Sequence, residues 1–230
     1  LIVPDNNTKY TVSGETLTLS DGRKANATVK NEDGYATAFT NWSPTSGTIT
    51  AATKVVANFT RTANGYIATF DSNGGTEANP KTISKSYGEE LGTLPTTTRE
   101  GYTFKGWYTD KTGGTKIEAT STMPASNVTY YAQWTANKYT VEYNGNGATG
   151  GSTANSSHVY DEEKALTANG YTRSYTITYN YNGNGTENTT ATAKYTFKNW
   201  NTQADGNGKE YTDKQVVENL TTGGTITLYA

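Results

Sequence analysis

A tetrapeptide of the form Phe-x-x-Trp occurs three times in this chain and constrains its fold more than any other feature. The copies are Phe39–Trp42, Phe104–Trp107 and Phe197–Trp200, and they contain three of the four tryptophans of the 230-residue chain. Each copy lies between an opening and a closing segment in which apolar and polar residues alternate, which is typical of half-buried strands. A pattern that returns in this way predicts a tandem array of related modules.

The alternating segments share one layout in all three copies. The openings are Tyr10–Val12, Tyr66–Phe70 and Tyr139–Tyr143, and the closings are Val55–Phe59, Val128–Trp134 and Ile226–Ala230. Asn-Gly-rich segments at 71–75 and 144–147 follow two of the openings, and these residue types accept the positive φ of a turn at low cost. A Phe and a Trp three positions apart lie on opposite faces of a regular strand. Either a bulge intervenes, or one ring lies on the second face.

The repeats predict three modules, at residues 1–64, 65–136 and 137–230. The third module is longer, because Phe197 follows Phe104 by 93 residues whereas Phe104 follows Phe39 by 65. Its extra residues include an alternating strand, an Asn-Gly turn and a Thr-rich return strand, which predict an inserted hairpin at about 174–194. Helix signals are few: Asp213 could cap a helix over 214–220, and residues 160–165 could form a short turn. We therefore expect a mainly β fold with few short helical segments.

Composition narrows the possible functions. Hydrophobic residues make up 33% of the chain, and 18 Tyr and 4 Trp supply much of the area that a core would need. A net charge of −2 gives no basic surface for nucleic acid. The chain has no Cys and one His, which excludes thiol chemistry and Cys-ligated metal. No apolar run is long enough to insert this fragment into a membrane.

The second and third modules carry motifs of a known repeat. Residues Gly101–Gly114, Met123–Ala125 and Tyr131–Trp134 closely resemble the internalin B-repeat, also called the Listeria-Bacteroides repeat. Residues Asn144–Ala148 and Trp200–Gly206 resemble a variant of the same repeat, interrupted by the inserted hairpin. The first module keeps the Phe-x-x-Trp frame and resembles a divergent member.

This resemblance implies a small β-grasp-like fold for each module, in tandem on secreted or wall-attached bacterial proteins. It implies no catalytic residue and no cofactor, so we expect a non-catalytic spacer or adhesion-supporting region located outside the cell. The partner would be an unidentified host or cell-wall protein, or a glycan. The alternative is a module that binds glycan or protein through exposed aromatic rings or free strand edges. The residues expected to form the structural signature of the repeat are Phe39, Trp42, Phe104, Trp107, Trp134, Phe197 and Trp200.

Comparison of the closing strands yields one more expectation. Tyr131-Ala132 aligns with Tyr229-Ala230, and the sequence therefore stops two residues before the equivalent of Trp134. We expect the natural protein to continue. A Lys-Asn or Lys-Asp isopeptide bond is an open possibility for a cysteine-free surface protein.

Several motifs that could carry chemistry have simpler explanations. Gly145–Gly150 fits G-x-G-x-x-G, but no helix is predicted after it to hold a phosphate. Asn180–Gly185 resembles the start of a calcium loop, but the ligand at its twelfth position is missing. The carboxylate pairs at 89–90 and 162–163 occupy matching repeat positions instead of facing one another. His158 has no catalytic partner motif, and we expect it at the surface or half-buried on a strand.

The tryptophans could also stack on sugars if they were exposed. Their recurrence in every module favours a place in the core or at a module interface.

Overall fold

The structure is a computed structural model that describes residues 2–3, 8–20, 22–30, 32–45, 47–49, 53–179 and 189–230. Every regular element in these ranges is a strand, so the expectation of a mainly β chain is confirmed. The expectation of short helical segments is wrong for the described residues. Asp161 and Lys214 adopt φ of +60° and +59°. A residue in this left-handed region interrupts a right-handed helix, and short strands follow at both places.

The first segment, residues 1–64, contains eight strands among its described residues. They are β1 (Ile2–Val3), β2 (Thr8–Ser13), β3 (Thr16–Leu19), β4 (Lys24–Asn26), β5 (Tyr35–Ser43), β6 (Gly47–Ile49), β7 (Thr53–Lys54) and β8 (Val56–Ala63). They form antiparallel sheets of the orders β4-β3-β2-β6, β5-β8 and β1-β7. Tyr10, Leu17 and Trp42 belong to a buried apolar cluster of this segment.

The second segment is a mixed five-stranded sheet. Its strands are β9 (Gly65–Asp71), β10 (Thr82–Ser86), β11 (Tyr102–Tyr108), β12 (Lys116–Ile117) and β13 (Val128–Ala136). The order is β10-β9-β13-β11-β12. β9 pairs antiparallel with β10 and parallel with β13, from Ala68 opposite Val128 to Asp71 opposite Tyr131. The opening strand and the closing strand of the repeat are therefore neighbours at the centre of the sheet.

The third segment, residues 137–230, repeats this strand order. Its described strands are β14 (Lys138–Asn144), β15 (Gly150–Gly151), β16 (Ser156–Val159), β17 (Lys164–Ala165), β18 (Tyr171–Tyr179), β19 (Thr189–Tyr195), β20 (Trp200–Asn201), β21 (Glu210–Tyr211), β22 (Val216–Val217) and β23 (Gly224–Tyr229). The main sheet has the order β16-β14-β23-β20-β21, and the opening strand β14 pairs parallel with the closing strand β23. Two smaller sheets have the orders β15-β18-β19 and β17-β22.

A long hairpin lies where the sequence predicts an insertion. β18 and β19 pair antiparallel from Arg173 opposite Tyr195 to Tyr179 opposite Thr189. The predicted Asn-Gly turn at 180–185 lies outside the described residues.

The described residues form two compact units. Unit 1 contains those of 1–73 with 77–96 and 107–132, and unit 2 contains those of 74–76, 97–106 and 133–230. The buried cluster around Tyr10 and Trp42 belongs to unit 1, and the cluster around Tyr143 and Trp200 belongs to unit 2. The three modules at 1–64, 65–136 and 137–230 stay a prediction.

Candidate interaction site

The three tryptophans of the repeated tetrapeptide are buried. Trp42, Trp107 and Trp200 are 5%, 1% and 0% exposed. None of them presents a ring face on which a sugar could stack. The indole nitrogen of Trp107 donates a hydrogen bond to the Pro95 carbonyl at 2.9 Å. The indole nitrogens of Trp42 and Trp200 have no hydrogen-bond partner among the described residues.

In the first and third copies of the tetrapeptide, the Phe and Trp rings contact one another. The register of β5 shifts after Phe39, and this bulge brings its ring centre to 5.9 Å from that of Trp42. Phe197 precedes β20, which begins at Trp200, and these ring centres are 5.1 Å apart. In the first copy a bulge, and in the third a backbone outside the regular strand, thus lets a Phe and a Trp three positions apart contact one another.

In the second copy, the two rings have different partners. Phe104 packs against Trp134 with ring centres 5.2 Å apart. Trp107 packs edge-on against Phe70 at 4.9 Å. The Phe104 side chain is 36% exposed, whereas that of Trp107 is 1% exposed.

An asparagine clamp closes the turn after β9. Asn73 has a φ of +45°, and its backbone N–H donates to the Asp71 carboxylate at 2.9 Å. Its side-chain amide donates to the carbonyls of Ala132 at 3.0 Å and Lys111 at 3.3 Å. One side chain thereby ties the turn to the closing strand and to a distant loop.

The same clamp closes the turn after β14. Asn146 has a φ of +48°, and its N–H donates to the Asn144 side-chain oxygen at 2.8 Å. Its amide donates to the carbonyls of Ala230 at 3.0 Å and Ala204 at 2.8 Å. Sequence reasoning predicts the turn at this place, but it misses the clamp, because the partners are 58 and 84 residues away.

A second recurring geometry, which we call the first junction, consists of Gly34, Tyr35, Asn64 and Tyr87. The N–H of Asn64 donates to the Gly34 carbonyl at 2.8 Å, and the Asn64 carbonyl accepts from the Tyr87 N–H at 2.8 Å. The Tyr35 and Tyr87 rings meet edge to face at 5.1 Å. Gly34 has a φ of +81°, and a Cβ there would overlap the Tyr87 ring. The Arg61 guanidinium lies 3.5 Å from the Tyr35 ring centre.

The second junction, formed by Gly101, Tyr102, Asn137 and Tyr160, reproduces these contacts. Asn137 donates to the Gly101 carbonyl and accepts from the Tyr160 N–H, both at 2.9 Å. The two tyrosine rings lie 5.8 Å apart at 73°. Gly101 has a φ of +73°, and a Cβ there would again overlap the second tyrosine ring. The Arg99 guanidinium lies 3.7 Å from the Tyr102 ring centre.

Further polar contacts strengthen the second junction. The Tyr102 hydroxyl donates to the Asp161 carboxylate at 2.6 Å, and the Asn219 amide donates to the other Asp161 oxygen at 2.8 Å. These two hydrogen bonds, with a smaller contribution from Arg99, lower the pKa of Asp161. The Asn137 amide donates to the Thr222 carbonyl at 2.8 Å. The sequence signal for a junction is a Gly-Tyr pair, followed 30 to 36 residues after the glycine by an Asn at the end of a closing strand.

His158 lies on β16 but is only 1% exposed, so the expectation of a surface or half-buried position is wrong. Its ring stacks on Tyr139 at 5.2 Å, and its Nε2 lies 2.8 Å from the Ser156 hydroxyl. Burial, and secondarily the charge of Lys164, lowers the pKa of the imidazole. This environment holds the ring neutral within the packing of the third repeat.

The other motifs with possible chemistry are dispersed. The residues of both carboxylate pairs are exposed, and Glu89 accepts a hydrogen bond from the Ser86 N–H at 2.7 Å. Gly145–Gly150 leads into β15 and no helix follows it. The candidate calcium loop at 180–185 lies outside the described residues. Among the residues that are described, no group of three His, Asp or Glu side chains could hold a metal ion. The described part of the chain contains no helix that could cross a lipid bilayer.

A cleft of about 310 Å³ lies in the third repeat. Its walls include Ala148, Tyr171, Phe197 and Ala230, and Tyr195 lines it as well. Lys198 and Glu210, which form an ion pair at 3.1 Å, supply polar atoms to the same cleft. The cleft therefore combines aromatic walls with a polar edge.

Comparisons with known proteins agree with these repeats. Residues 66–133 and 191–230 match the family model described as the Listeria-Bacteroides repeat domain. Internalin H of Listeria monocytogenes is 43% identical over 110 residues, which cover 46% of this chain and 19% of that protein. A putative membrane protein of Evansella cellulosilytica is 28% identical over 149 residues, which cover 64% of this chain and 19% of that protein.

A putative Gly-rich membrane protein of Evansella cellulosilytica is 32% identical over 84 residues, which cover 36% of this chain and 10% of that protein. The chain thus spans about a fifth or less of the length of these relatives. The first matched segment contains most of β9–β13 and the Asn73 clamp, and the second contains β20, β21 and β23. β14, β16 and the clamp residue Asn146 lie outside the second matched segment. Residues 66–133 and 191–230 thus belong to the Listeria-Bacteroides repeat family.

Proposed function

We propose that this chain is a non-catalytic repeat region of a bacterial cell-surface protein and acts as a spacer that supports adhesion. The observation that carries the proposal is the recurrence of one junction, with Gly34, Tyr35, Asn64 and Tyr87 reproduced by a second set 67 to 73 residues later. Spacers need consecutive modules joined by the same contact, because each repeat is stabilised by its neighbours. A junction with both hydrogen bonds and ring packing resists bending better than a flexible linker does.

The glycine in each junction makes the contact specific. Gly101 supplies a positive φ and leaves room for the Tyr160 ring to lie directly against its Cα. Any other residue would have both a strained backbone and a Cβ inside that ring. The junction therefore depends on a small residue at one point and on an aromatic ring at another.

A β-grasp-like fold for each of the last two modules is part of the proposal. Its support is the shared order of the two main sheets, in which the first and last strands are parallel neighbours. The first module has a different strand order, consistent with a divergent repeat.

A location outside the cell is supported by the family and by the similarity to Internalin H. A cysteine-free chain is compatible with that location but does not require it. Partners of the whole protein would be a host or cell-wall protein or a glycan.

Residual dipolar couplings test the spacer directly. In one weakly aligned sample of the full chain, couplings from 97–106 and from 139–179, which flank the second junction within unit 2, should fit a single alignment tensor. Tyr160→Ala removes the ring that covers Gly101, so the two sets should then need different tensors. Tyr179→Ala is the matched control, because Tyr179 is 54% exposed and lies outside the junctions. Two tensors in the parent chain would reject a rigid junction, and a single tensor in the Tyr160 variant would reject the role assigned to the Tyr160 ring.

A binding module is the second candidate, favoured by the exposed tyrosines of the β18–β19 hairpin. Tyr175, Tyr179 and Tyr195 are 42%, 54% and 57% exposed, and the rings of Tyr175 and Tyr195 lie 4.8 Å apart. Adjacent exposed rings of this kind suit a sugar or a protein surface. Glycan-array binding that is lost in Tyr175→Ala and kept in Tyr108→Ala would support this candidate. An array without signal would remove a glycan as the ligand of these rings.

A further inference from the structure

Six Asn-Gly pairs lie in the described part of the chain, and they differ in what holds the reacting groups. In such a pair the glycine nitrogen can attack the side-chain carbonyl carbon of the asparagine, because no side chain shields that nitrogen. Hydrogen bonds to the amide or from the glycine N–H oppose the attack, because they must first be broken. The pairs begin at Asn64, Asn73, Asn144, Asn146, Asn169 and Asn207.

Five of these pairs are restrained by hydrogen bonds. The side-chain amides of Asn73 and Asn146 each donate to two backbone carbonyls. The side-chain oxygen of Asn144 accepts from the Asn146 N–H at 2.8 Å. In the remaining two, the attacking nitrogen is already a donor, since the N–H groups of Gly170 and Gly208 each donate to a side-chain oxygen at 2.9 Å.

The pair Asn64-Gly65 carries no such restraint on its side chain. The Asn64 backbone makes both hydrogen bonds of the first junction, but its side-chain amide makes none within the described part of the chain. Gly65 is exposed, and a Cβ there would meet no atom within 4 Å. The side chain of Asn64 can therefore approach the Gly65 nitrogen without losing a hydrogen bond.

The N–H of Gly65 also points away from the paired strand. The peptide between Asn64 and Gly65 is trans, so its N–H is opposite to its carbonyl, and that carbonyl accepts from the Tyr87 N–H on the side of β10. Ser86 lies opposite Gly65, but its own N–H donates to the Glu89 carboxylate at 2.7 Å. On the other side, β13 pairs with β9 only farther along the strand. The attacking nitrogen therefore has no partner in either ladder.

The equivalent asparagine of the second junction is protected. Asn137 is followed by Lys138, whose side chain shields the next nitrogen. The side-chain oxygen of Asn137 accepts from the Thr103 hydroxyl at 2.6 Å, and its amide donates to the Thr222 carbonyl at 2.8 Å. The two junctions thus share their backbone contacts but differ in chemical reactivity.

We propose that Asn64 is a site of spontaneous deamidation that opens the first junction. The Gly65 nitrogen forms a bond to the side-chain carbonyl carbon of Asn64 and gives up its proton, and ammonia leaves, so that a five-membered succinimide forms. Water then opens this ring to aspartate or isoaspartate, with no oxidant or reductant involved. Isoaspartate adds a methylene group to the main chain and displaces the carbonyl that accepts from Tyr87. This chemistry is independent of the proposed spacer function.

Peptide mapping by mass spectrometry tests the site. The full chain is incubated at mildly alkaline pH, once folded and once in urea, and aspartate and isoaspartate are quantified at each pair. In urea the six pairs should react at similar rates. In the folded chain, Asn64 should react about tenfold or more faster than Asn73 and Asn146, whose amides must first give up two hydrogen bonds. A rate at Asn64 no higher than theirs would overturn the proposal.

Gly65→Ala is the matched variant. Its Cβ enters open space and its backbone is not left-handed, so the fold should be kept, whereas the methyl group shields the nitrogen. Deamidation at Asn64 should be largely lost, and the other five pairs should react as in the parent chain. Unchanged deamidation at Asn64 in this variant would exclude the succinimide route.

Amide hydrogen exchange measures the effect on the junction. In the aged parent chain, the Tyr87 N–H should lose its protection, while the Tyr160 N–H, its counterpart in the second junction, should keep it. The Gly65→Ala chain, aged in the same way, should keep both. Full protection of Tyr87 in a chain that carries isoaspartate at position 64 would contradict the opening of the junction.

Discussion

Single hydrogen bonds distinguish buried residues that occupy the same place in the repeat. Trp107 and Trp200 are both buried, but the Trp107 nitrogen donates to Pro95 and the Trp200 nitrogen has no partner among the described residues. A buried donor without a partner costs free energy, whereas the loss of a partnered donor leaves a carbonyl unsatisfied. The two indoles therefore contribute to stability in different ways.

Replacement by phenylalanine should expose this difference. Trp107→Phe removes ring area and leaves the Pro95 carbonyl unpaired, whereas Trp200→Phe removes ring area together with an unsatisfied N–H. We expect Trp107→Phe to lower the free energy of unfolding by about 1–2 kcal/mol more than Trp200→Phe does. Urea unfolding followed by circular dichroism measures both values. Equal losses would show that the hydrogen bond from Trp107 to Pro95 makes no net contribution to the free energy of unfolding.

His158 should make stability depend on pH. Its folded pKa lies below the ordinary value of about 6.5, so its stabilising contribution is full above that pH. As the pH falls below about 6.5, the unfolded chain takes up a proton that the folded chain does not, and stability decreases. The melting temperature should fall between about pH 6.5 and pH 5. His158→Gln should flatten this part of the curve, since the chain has no other histidine. Parallel curves for the parent and the variant would refute the explanation.

At the scale of elements, strand pairing and junction contacts decide which of the predicted strands and helices form. The periodicity of the sequence predicts β9, β13, β14 and β23 because alternating apolar residues are a local signal. The predicted helix over 214–220 does not form, because Lys214 takes a left-handed conformation. The local sequence carries no signal for that conformation. Short segments of mixed composition follow their tertiary surroundings more than their own propensity.

A side chain added at the junction glycine Gly101 should destabilise the chain. Gly101→Ala adds both backbone strain, at a φ of +73°, and a Cβ inside the Tyr160 ring. Gly92→Ala is the matched control, because Gly92 has a φ of +75° and a Cβ there would meet no atom within 4 Å.

We expect Gly92→Ala to cost about 1–2 kcal/mol, which is the strain alone. Gly101→Ala should cost about 1–3 kcal/mol more, because the Tyr160 ring must move. Thermal or urea unfolding of the two variants measures the difference. If both variants lost the same stability, Tyr160 would not pack on Gly101 in solution.

At the scale of the whole molecule, charge contributes little to stability. The described ion pairs join exposed or half-exposed side chains, as in Arg61–Glu32 at 2.7 Å and Lys81–Glu77 at 2.9 Å. Exposed pairs of this kind are worth little and are screened by salt. The buried apolar residues around Trp42, Trp107 and Trp200 must therefore supply most of the stability.

Because the ion pairs contribute little, the thermal stability should depend only weakly on salt concentration. The melting temperature should change by less than about 2 °C between about 0.05 and 0.5 M sodium chloride. Sodium sulfate at the same ionic strength should raise it, because sulfate strengthens apolar burial. A large loss of stability in sodium chloride would indicate that the ion pairs matter more than their exposure suggests.

The sequence by itself determined the repeat frame, the opening and closing strands and the turns rich in Asn and Gly. These features are local, since alternation and turn chemistry can be recognised within a few residues. The resemblance of Gly101–Gly114 to a known repeat added the family. The frame also indicated that Trp42, Trp107 and Trp200 play equivalent parts.

Only the tertiary structure decided which side chains meet. The amide of Asn146 reaches carbonyls 58 and 84 residues away, and Tyr160 covers Gly101 from 59 residues away. These contacts depend on the order of strands in the sheet and on how successive segments join. That order depends on long-range packing, to which a local pattern carries no signal.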